Sequence, residues 1–237
     1  MTAAGAAAAA PGTPCAQLRA AADEIWAAQH AHPFVRGIAD GTLPVERFRH
    51  YIRQDYVYLV DYGRLMALGA ARAPDLATMR RFAELTQGIL VTEMDLHRAL
   101  AAEWGVGEAE LEREPASPTT RAYADFLLRT AALGDFAELL AALLPCMWGY
   151  AEIGARLAAE PEPGGGHPGY ARWIATYAGE EFQRLAAWCR ELTDRAGAGV
   201  DAAGRRRMEA AFVQSSRWEL AFWDAAWRLE GVEGGAR

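Results

Sequence analysis

Apolar residues recur at helical spacing along almost the whole chain. Residues 18–26 and 48–62 each carry an apolar stripe with steps of three and four positions, as in helices that pack on a core. Residues 136–157 are apolar on nearly all sides, which is typical of a central buried helix. No segment shows a sustained alternation of apolar and polar positions. The pattern therefore predicts an all-α fold, a helical bundle of about seven or more helices.

Capping residues predict where some of these helices begin. Asp75 follows a proline and is expected to cap a long helix that runs to about Trp104. Thr119 or Thr120 is expected to cap the next helix. A further continuous helical stretch is expected over residues 170–195.

The loop Pro161–Pro168 contains three consecutive glycines, but it is too short and too central to separate two self-sufficient cores. We therefore expect a single-domain bundle over residues 15–230. The Ala-rich residues 1–14 lack the basic start of a signal peptide and are expected to form a disordered tail. Residues 231–237 are expected to form a frayed C-terminus.

Composition excludes several classes of function. The 237 residues carry a formal net charge of -7, and all 24 basic residues are arginines because no lysine occurs. The missing lysine excludes a Schiff-base lysine and a P-loop for phosphate. The acidic balance and the lack of a basic stripe give no support for a nucleic-acid partner.

The cysteines and the apolar runs bear on location. Cys15, Cys146 and Cys189 form no C-x-x-C pair, which is typical of a reducing compartment. The longest strongly apolar uncharged run, between Glu138 and Glu152, is shorter than the roughly 20 residues that a membrane span needs. We therefore expect a cytoplasmic protein without a membrane partner.

Two segments combine a carboxylate with aromatic side chains on one helix face. Asp55 shares its face with Tyr58 and Tyr62, and Glu219 shares its face with Phe222 and Trp223. A carboxyl group among aromatic rings is desolvated, so we expect the pKa of Glu219 to rise toward values useful in proton transfer. Both acids could equally serve a structural role, as partners of a neighbouring hydroxyl or arginine.

Cys146 directly follows a proline inside the apolar segment. Pro145 is expected to kink or restart the helix and to leave Cys146 in a first turn, where free N–H groups would favour the thiolate. Tyr150 lies one turn further on the same face. An inert core cysteine is the alternative. Tyr123 and Tyr177 lie on apolar faces of their own helices and, taken singly, suit the core.

Glu93 and His97 have the i, i+4 spacing of a pair of metal ligands. A catalytic metal usually takes three or more protein ligands, and the sequence offers no second pair of this kind. We therefore expect no metal site. A G-x-S-x-G hydrolase signature is also missing.

Taken in order, several motifs resemble the TenA/thiaminase II family. They are His32-Pro33-Phe34-Val35 with Gly37-Ile38 and Gly41-Thr42-Leu43, Phe48-x-x-Tyr51-x-x-Gln54-Asp55-Tyr56-x-Tyr58-Leu59, Leu144-Pro145-Cys146 to Tyr150-x-Glu152-Ile153-Gly154, Trp173-Ile174-x-x-Tyr177, and Ser216-Arg217-Trp218-Glu219-x-x-Phe222-Trp223. The resemblance implies a haem-oxygenase-like bundle without haem or another cofactor, usually a homotetramer. It also implies hydrolysis of aminopyrimidines, and of thiamin more weakly, to hydroxymethylpyrimidine in thiamin salvage.

The resemblance also implies roles for individual residues. Cys146 resembles the nucleophile, Glu219 the acid/base group, and Asp55 the carboxylate that binds the substrate amino group and assists the cysteine. The side chains that resemble the walls and hydroxyl partners of the substrate pocket are Tyr58, Tyr123, Tyr150, Tyr177 and Phe222. Two alternatives are a non-catalytic regulator of the transcriptional-activator type and a di-metal oxidase of the same fold that uses Glu93 and His97.

Overall fold

A computed structural model describes residues 10–231, and every regular element in that range is helical. The helices are α1 (Pro14–Ala21), α2 (Asp23–Ala31), α3 (Pro33–Asp40), α4 (Val45–Ala71), α5 (Leu76–Gln87), α6 (Met94–Ala102), α7 (Glu108–Leu111), α8 (Pro118–Leu133), α9 (Phe136–Ala158), α10 (Pro168–Ala178), α11 (Glu180–Ala198) and α12 (Ala202–Arg228). A π-helical segment, Gly88–Glu93, joins α5 to α6. The predicted all-α fold is confirmed.

Most of the two predicted tails lies outside the described residues, which omit 1–9 and 232–237. Helix α1 begins at Pro14, and the Thr13 hydroxyl accepts a hydrogen bond from the Ala16 N–H at 3.2 Å. Helical structure thus starts inside residues 1–14, because a threonine cap followed by proline is a favourable helix start.

The predicted caps are correct in one place and wrong in another. The Asp75 carboxylate accepts the Thr78 N–H at 2.7 Å, as expected, but the helix that follows changes to a π-helical turn after Gln87. Helix α8 is capped by Ser117 instead of Thr119 or Thr120, because Pro118 occupies the first helical position, which suits its fixed backbone.

The helical stretch predicted over residues 170–195 is two helices. Gly179 separates α10 from α11 with an extended backbone, at φ -62° and ψ 145°. Its N–H still bonds to the Thr176 carbonyl at 3.3 Å, so the chain turns directly from one helix into the next.

Helix α9 is continuous although Pro145 lies inside it. The expected restart is therefore wrong, and Cys146 lies in the middle of a helix. Proline removes an N–H donor and frees a carbonyl, so it creates no free N–H groups for a thiol to use.

One helix in the described range, α9, is long and apolar enough to cross a membrane by length and composition alone. The expectation from the sequence concerned the shorter uncharged run between Glu138 and Glu152. In the structure, 78% of the most apolar stretch of α9 is buried inside the protein.

The described chain forms two compact units. The first consists of the residues up to Leu43 together with Leu140–Trp223, and the second consists of Pro44–Leu139 together with the residues from Asp224 onward. In the first unit the rings of Trp26, Trp148 and Phe212 pack together, with Trp26 and Trp148 at 5.2 Å between centroids. In the second unit Phe48 packs on Tyr51 and Trp104.

Candidate active site

In the second unit, Asp55 on α4 is the centre of a buried hydrogen-bond group. The Tyr51 hydroxyl donates to Asp55 Oδ2 at 3.0 Å, and His97 Nε2 lies 2.7 Å from the same oxygen. Within the described part of the chain, Oδ1 makes no hydrogen bond. The Asp55 side chain is only 5% exposed, so the two bonds to Oδ2 fix the carboxylate and leave Oδ1 as the atom that can receive a further donor.

His97 is a candidate that the sequence pattern offered only as a metal ligand, in an alternative to the expected absence of a metal site. Its Nδ1 lies 2.9 Å from the main-chain carbonyl of Glu93, in the π-helical segment, and its Nε2 faces Asp55. Both ring nitrogens therefore have partners that do not involve a metal. Among residues 10–231, no group of three potential ligands for a metal ion occurs.

The electrostatics of His97 follow from this geometry. Burial by itself lowers the pKa of His97, but the hydrogen bond and the charge of Asp55, with a contribution from Glu93, raise it overall. The sequence did indicate that His97 is buried, because it falls on the same stripe of α6 as the apolar residues Met94 and Leu100.

Tyrosine rings line the same helix face as Asp55. The Tyr58 ring stacks on Tyr123 of α8 at 5.0 Å and on Tyr62 at 5.4 Å between centroids. All three are buried. The structure thus brings together three of the predicted site residues, Asp55, Tyr58 and Tyr123, on the helices α4 and α8.

The first unit holds the other predicted residues, beginning with an aromatic cluster around Tyr150 of α9. The Tyr150 ring lies 4.9 Å from Tyr177, 5.4 Å from Trp223 and 6.0 Å from Trp173. Trp173 and Trp223 belong to the sequence motifs, but no role in the site was predicted for them. Phe222, which it did assign, is buried and adjacent to Trp223.

Two contacts set the register between α9 and α12. The Ser215 hydroxyl donates to the Ala142 carbonyl at 2.7 Å, and Trp223 packs on Tyr150. From the first contact to the second, the residue number rises by eight on α9 and also by eight on α12. The two helices therefore run in the same direction.

Cys146 and Glu219 lie midway between these two contacts. Each is one turn, about 6 Å, beyond the Ser215 bond. The register therefore places them at the same level on facing stripes of the two helices. Glu219 is 2% exposed, and Cys146 is half-buried.

The other two cysteines have different surroundings. Cys15 and Cys189 are fully buried. The Cys15 thiol donates to the Arg190 carbonyl at 3.3 Å, and burial, followed by the hydrogen bond and charge of Asp194, raises its pKa far above the ordinary value. Cys146 is therefore the cysteine with the greatest exposure.

Known proteins resemble this chain over most of its length. The TENA/THI-4/PQQC family matches residues 19–229. The aminopyrimidine aminohydrolase of Halalkalibacterium halodurans is 42% identical over 212 residues, which cover 90% of this chain and 94% of the relative.

Solved structures give the same picture. A TenA homologue from P. horikoshii OT3 superposes with a TM-score of 0.83 at 31% identity and covers 91% of this chain and 99% of its own. A Shewanella denitrificans domain described as having a haem-oxygenase-like fold superposes with a TM-score of 0.73 at 15% identity, covering 93% of this chain and 95% of its own. This second likeness shows the fold alone, which is haem-oxygenase-like.

Proposed function

Because the chain belongs to the TENA/THI-4/PQQC family, we propose that it hydrolyses aminopyrimidines through a cysteine nucleophile. The chain is a hydrolase: relatives named aminopyrimidine aminohydrolase are 42%, 41% and 34% identical to it over most of its length. The proposed substrate is 4-amino-5-aminomethyl-2-methylpyrimidine, with thiamin as a weaker one, and the proposed product is 4-amino-5-hydroxymethyl-2-methylpyrimidine. The reaction would be a step of thiamin salvage.

One observation carries the assignment of Cys146 and Glu219. The helices α9 and α12 hold these two residues at the same level, beside the aromatic rings of Tyr150, Tyr177 and Trp223. A flat heteroaromatic ring suits aromatic walls, and a carboxyl group suits its polar edge. A half-buried thiol on the same stripe supplies the nucleophile that such a ring can accept.

The proposed reaction proceeds by addition and elimination. The Cys146 sulfur forms a bond to the pyrimidine ring, and the amine attached to the exocyclic carbon leaves with a proton as ammonia. Water then adds its oxygen to that carbon, and the bond to sulfur breaks. The two steps together exchange the amine for a hydroxyl group, and the thiol is regenerated.

Glu219 is assigned the proton transfers of this sequence. Since Cys146 lies in the middle of α9, its own helix offers no N-terminus to favour the thiolate, and we assign a neighbouring base to take the proton. Glu219 is buried, and a carboxyl group held away from water beside the reacting thiol suits general acid–base catalysis.

The residues of the second unit are assigned to recognition. Asp55 Oδ1 can accept a hydrogen bond from the substrate amino group, because the bonds to Oδ2 hold the carboxylate in place. The resemblance adds that Asp55 assists Cys146. Tyr58 lies on the same face of α4 as Asp55, and its ring stacks on Tyr123 of α8. We further propose that the protein works as a cytoplasmic homotetramer.

The test is turnover of aminomethylpyrimidine and of thiamin, with the hydroxymethyl product measured by chromatography. The wild-type protein is expected to form this product from both, more slowly from thiamin. Cys146→Ala is expected to fold normally and to lose at least about 100-fold in turnover, the usual scale for an essential group.

Cys189→Ala is the matched control, because it removes a thiol that is fully buried on α11. It is expected to retain wild-type turnover. Near-normal turnover by Cys146→Ala would contradict the assignment of Cys146 as the nucleophile. If the wild-type protein formed no hydroxymethyl product, the proposed function would be wrong.

A further inference from the structure

His97 is fully buried, yet it can carry a charge. It is 0% exposed and lies in the second turn of α6, directly after the π-helical segment. A buried charge is stable only when it has a charged partner and its hydrogen bonds are satisfied. Such π-helical turns often accompany functional sites, and this one places the Glu93 carbonyl at the His97 ring.

The contacts of the ring decide where its protons are. A carbonyl oxygen can only accept a hydrogen bond, so His97 Nδ1 must donate to Glu93. His97 Nε2 lies 2.7 Å from Asp55 Oδ2, and a bare nitrogen would repel a carboxylate at that distance. A proton therefore lies between the two atoms. Imidazole is the stronger base of the pair, so the proton belongs to His97.

The second hydrogen bond to Asp55 fixes the orientation of its carboxylate. The Tyr51 hydroxyl donates to the same oxygen, Oδ2, at 3.0 Å. Two donors thus hold one carboxylate oxygen, and the carboxylate cannot rotate without losing both. Oδ1 then keeps one orientation, which matters if it receives the amino group of a substrate.

We propose that His97 is a positioning residue: as an imidazolium it binds Asp55 Oδ2 and orients Oδ1 to accept the substrate amino group. The part that concerns substrate rests on the proposed function. The ion pair itself does not, and it has a signature that can be measured without any substrate.

That signature is the protonation of the His97 ring in protein labelled with [15N]histidine. At pH 7, nuclear magnetic resonance of the wild-type protein is expected to show one histidine with both ring nitrogens protonated and protected from exchange with water. His97→Gln identifies the signal by its loss. Asp55→Asn removes the anionic partner, and the buried ring is then expected to become neutral.

Kinetics test the positioning role. His97→Gln keeps a neutral N–H donor that can reach Asp55, whereas His97→Leu keeps bulk and removes the donor. We expect His97→Leu to raise the KM for aminomethylpyrimidine by about 10- to 100-fold, the scale for losing a partner that orients a functional group. His97→Gln is expected to recover a substantial part of that loss.

The matched control is His30→Gln. His30 Nε2 lies 2.9 Å from the Glu152 carboxylate, so this variant also breaks a histidine–carboxylate contact, in the first unit. It is expected to keep the wild-type KM. Circular dichroism and the melting temperature show whether each variant is folded.

The outcomes are distinct. A neutral His97 ring in the wild-type protein, or equal KM values for His97→Leu and the wild type, would overturn the proposal. If the wild-type protein forms no product, the proposed function fails, and the resonance of His97 alone then decides whether the ion pair exists.

Discussion

At the scale of single residues, chemistry depends on which side chains retain a reactive form. Cys15 illustrates the opposite case, because its thiol is buried beside Asp194 and its pKa is raised far above the ordinary value. A thiol in that state is inert. Cys146 is half-buried, and the register of α9 and α12 places it level with Glu219, the proposed proton acceptor.

Glu219→Gln tests that acceptor. The substitution keeps the size of the side chain and removes its ability to take up a proton, so we expect turnover of aminomethylpyrimidine to fall by about 100-fold or more. Steady-state kinetics measure it. Glu209→Gln, an exposed position on the same helix, is the control and is expected to behave as the wild type. Unchanged turnover in Glu219→Gln would remove this residue from catalysis.

At the scale of elements, two contacts fix helix ends that the sequence left undefined. In the first unit, the glycine loop packs on the end of α3, where the Gly164 N–H donates to the Ala39 carbonyl at 3.1 Å. In the second unit, the Glu230 carboxylate accepts the Thr119 N–H at 2.9 Å and the Thr119 hydroxyl at 3.0 Å. Glu230 thereby stabilises the first turn of α8.

Gly165→Ala tests the packing of the glycine loop. Gly165 has a positive φ of 53°, and a Cβ there would collide with the backbone of Asp40 and Gly41. Gly166 also has a positive φ, 77°, but its Cβ would meet only a flexible Glu162 side chain at 3.3 Å. Gly166→Ala is thus a control for backbone strain alone.

We expect Gly166→Ala to lower the free energy of unfolding by about 1–2 kcal/mol, the usual penalty for a left-handed backbone. Gly165→Ala is expected to lower it clearly further. Urea denaturation measures both, and equal effects would show that the close approach to α3 contributes nothing.

Glu230→Gln tests the cap on α8 through its pH dependence. Although burial opposes it, the hydrogen bonds from Thr119 and Ser117 lower the pKa of Glu230 below its ordinary value of 4.5. A carboxyl group with a lowered pKa in the folded state stabilises the protein above its unfolded pKa, and this contribution is lost as pH falls through the folded pKa.

The variant is therefore expected to be less stable than the wild type by about 1 kcal/mol at pH 7, the typical value of a cap. The difference is expected to vanish well below pH 4.5, the ordinary value for this group. Urea titrations at several pH values measure it, with Glu209→Gln as the control. A difference that does not depend on pH would contradict the ionic cap.

At the scale of the whole molecule, charge and assembly bear on function. A net charge of -7 gives no support for binding to the phosphates of DNA, which a direct regulator of transcription would need. The proposed homotetramer predicts that sedimentation equilibrium at micromolar concentration yields a mass of four chains of 25.8 kDa. The mass of one chain over the whole concentration range would contradict it.

Helical periodicity predicted much of the fold, because a helix that packs on a core must show an apolar face in its own sequence. Asp75 as a cap is likewise a local property and is confirmed. The candidate side chains lie on the helices that carry their motifs, where Tyr58 stacks on Tyr123 and Tyr150 packs beside Tyr177. Their roles stay predictions that the experiments above address.

The sequence by itself thus determined the all-α fold, the family and the candidate side chains, since each depends on patterns along single segments. Only the tertiary structure decided that α9 continues through Pro145, because packing on all sides outweighs the loss of one backbone hydrogen bond. It also decided the partner of His97, which is 42 residues from Asp55, and the common level of Cys146 and Glu219. Such pairs depend on how helices pack against each other, and no local pattern encodes that register.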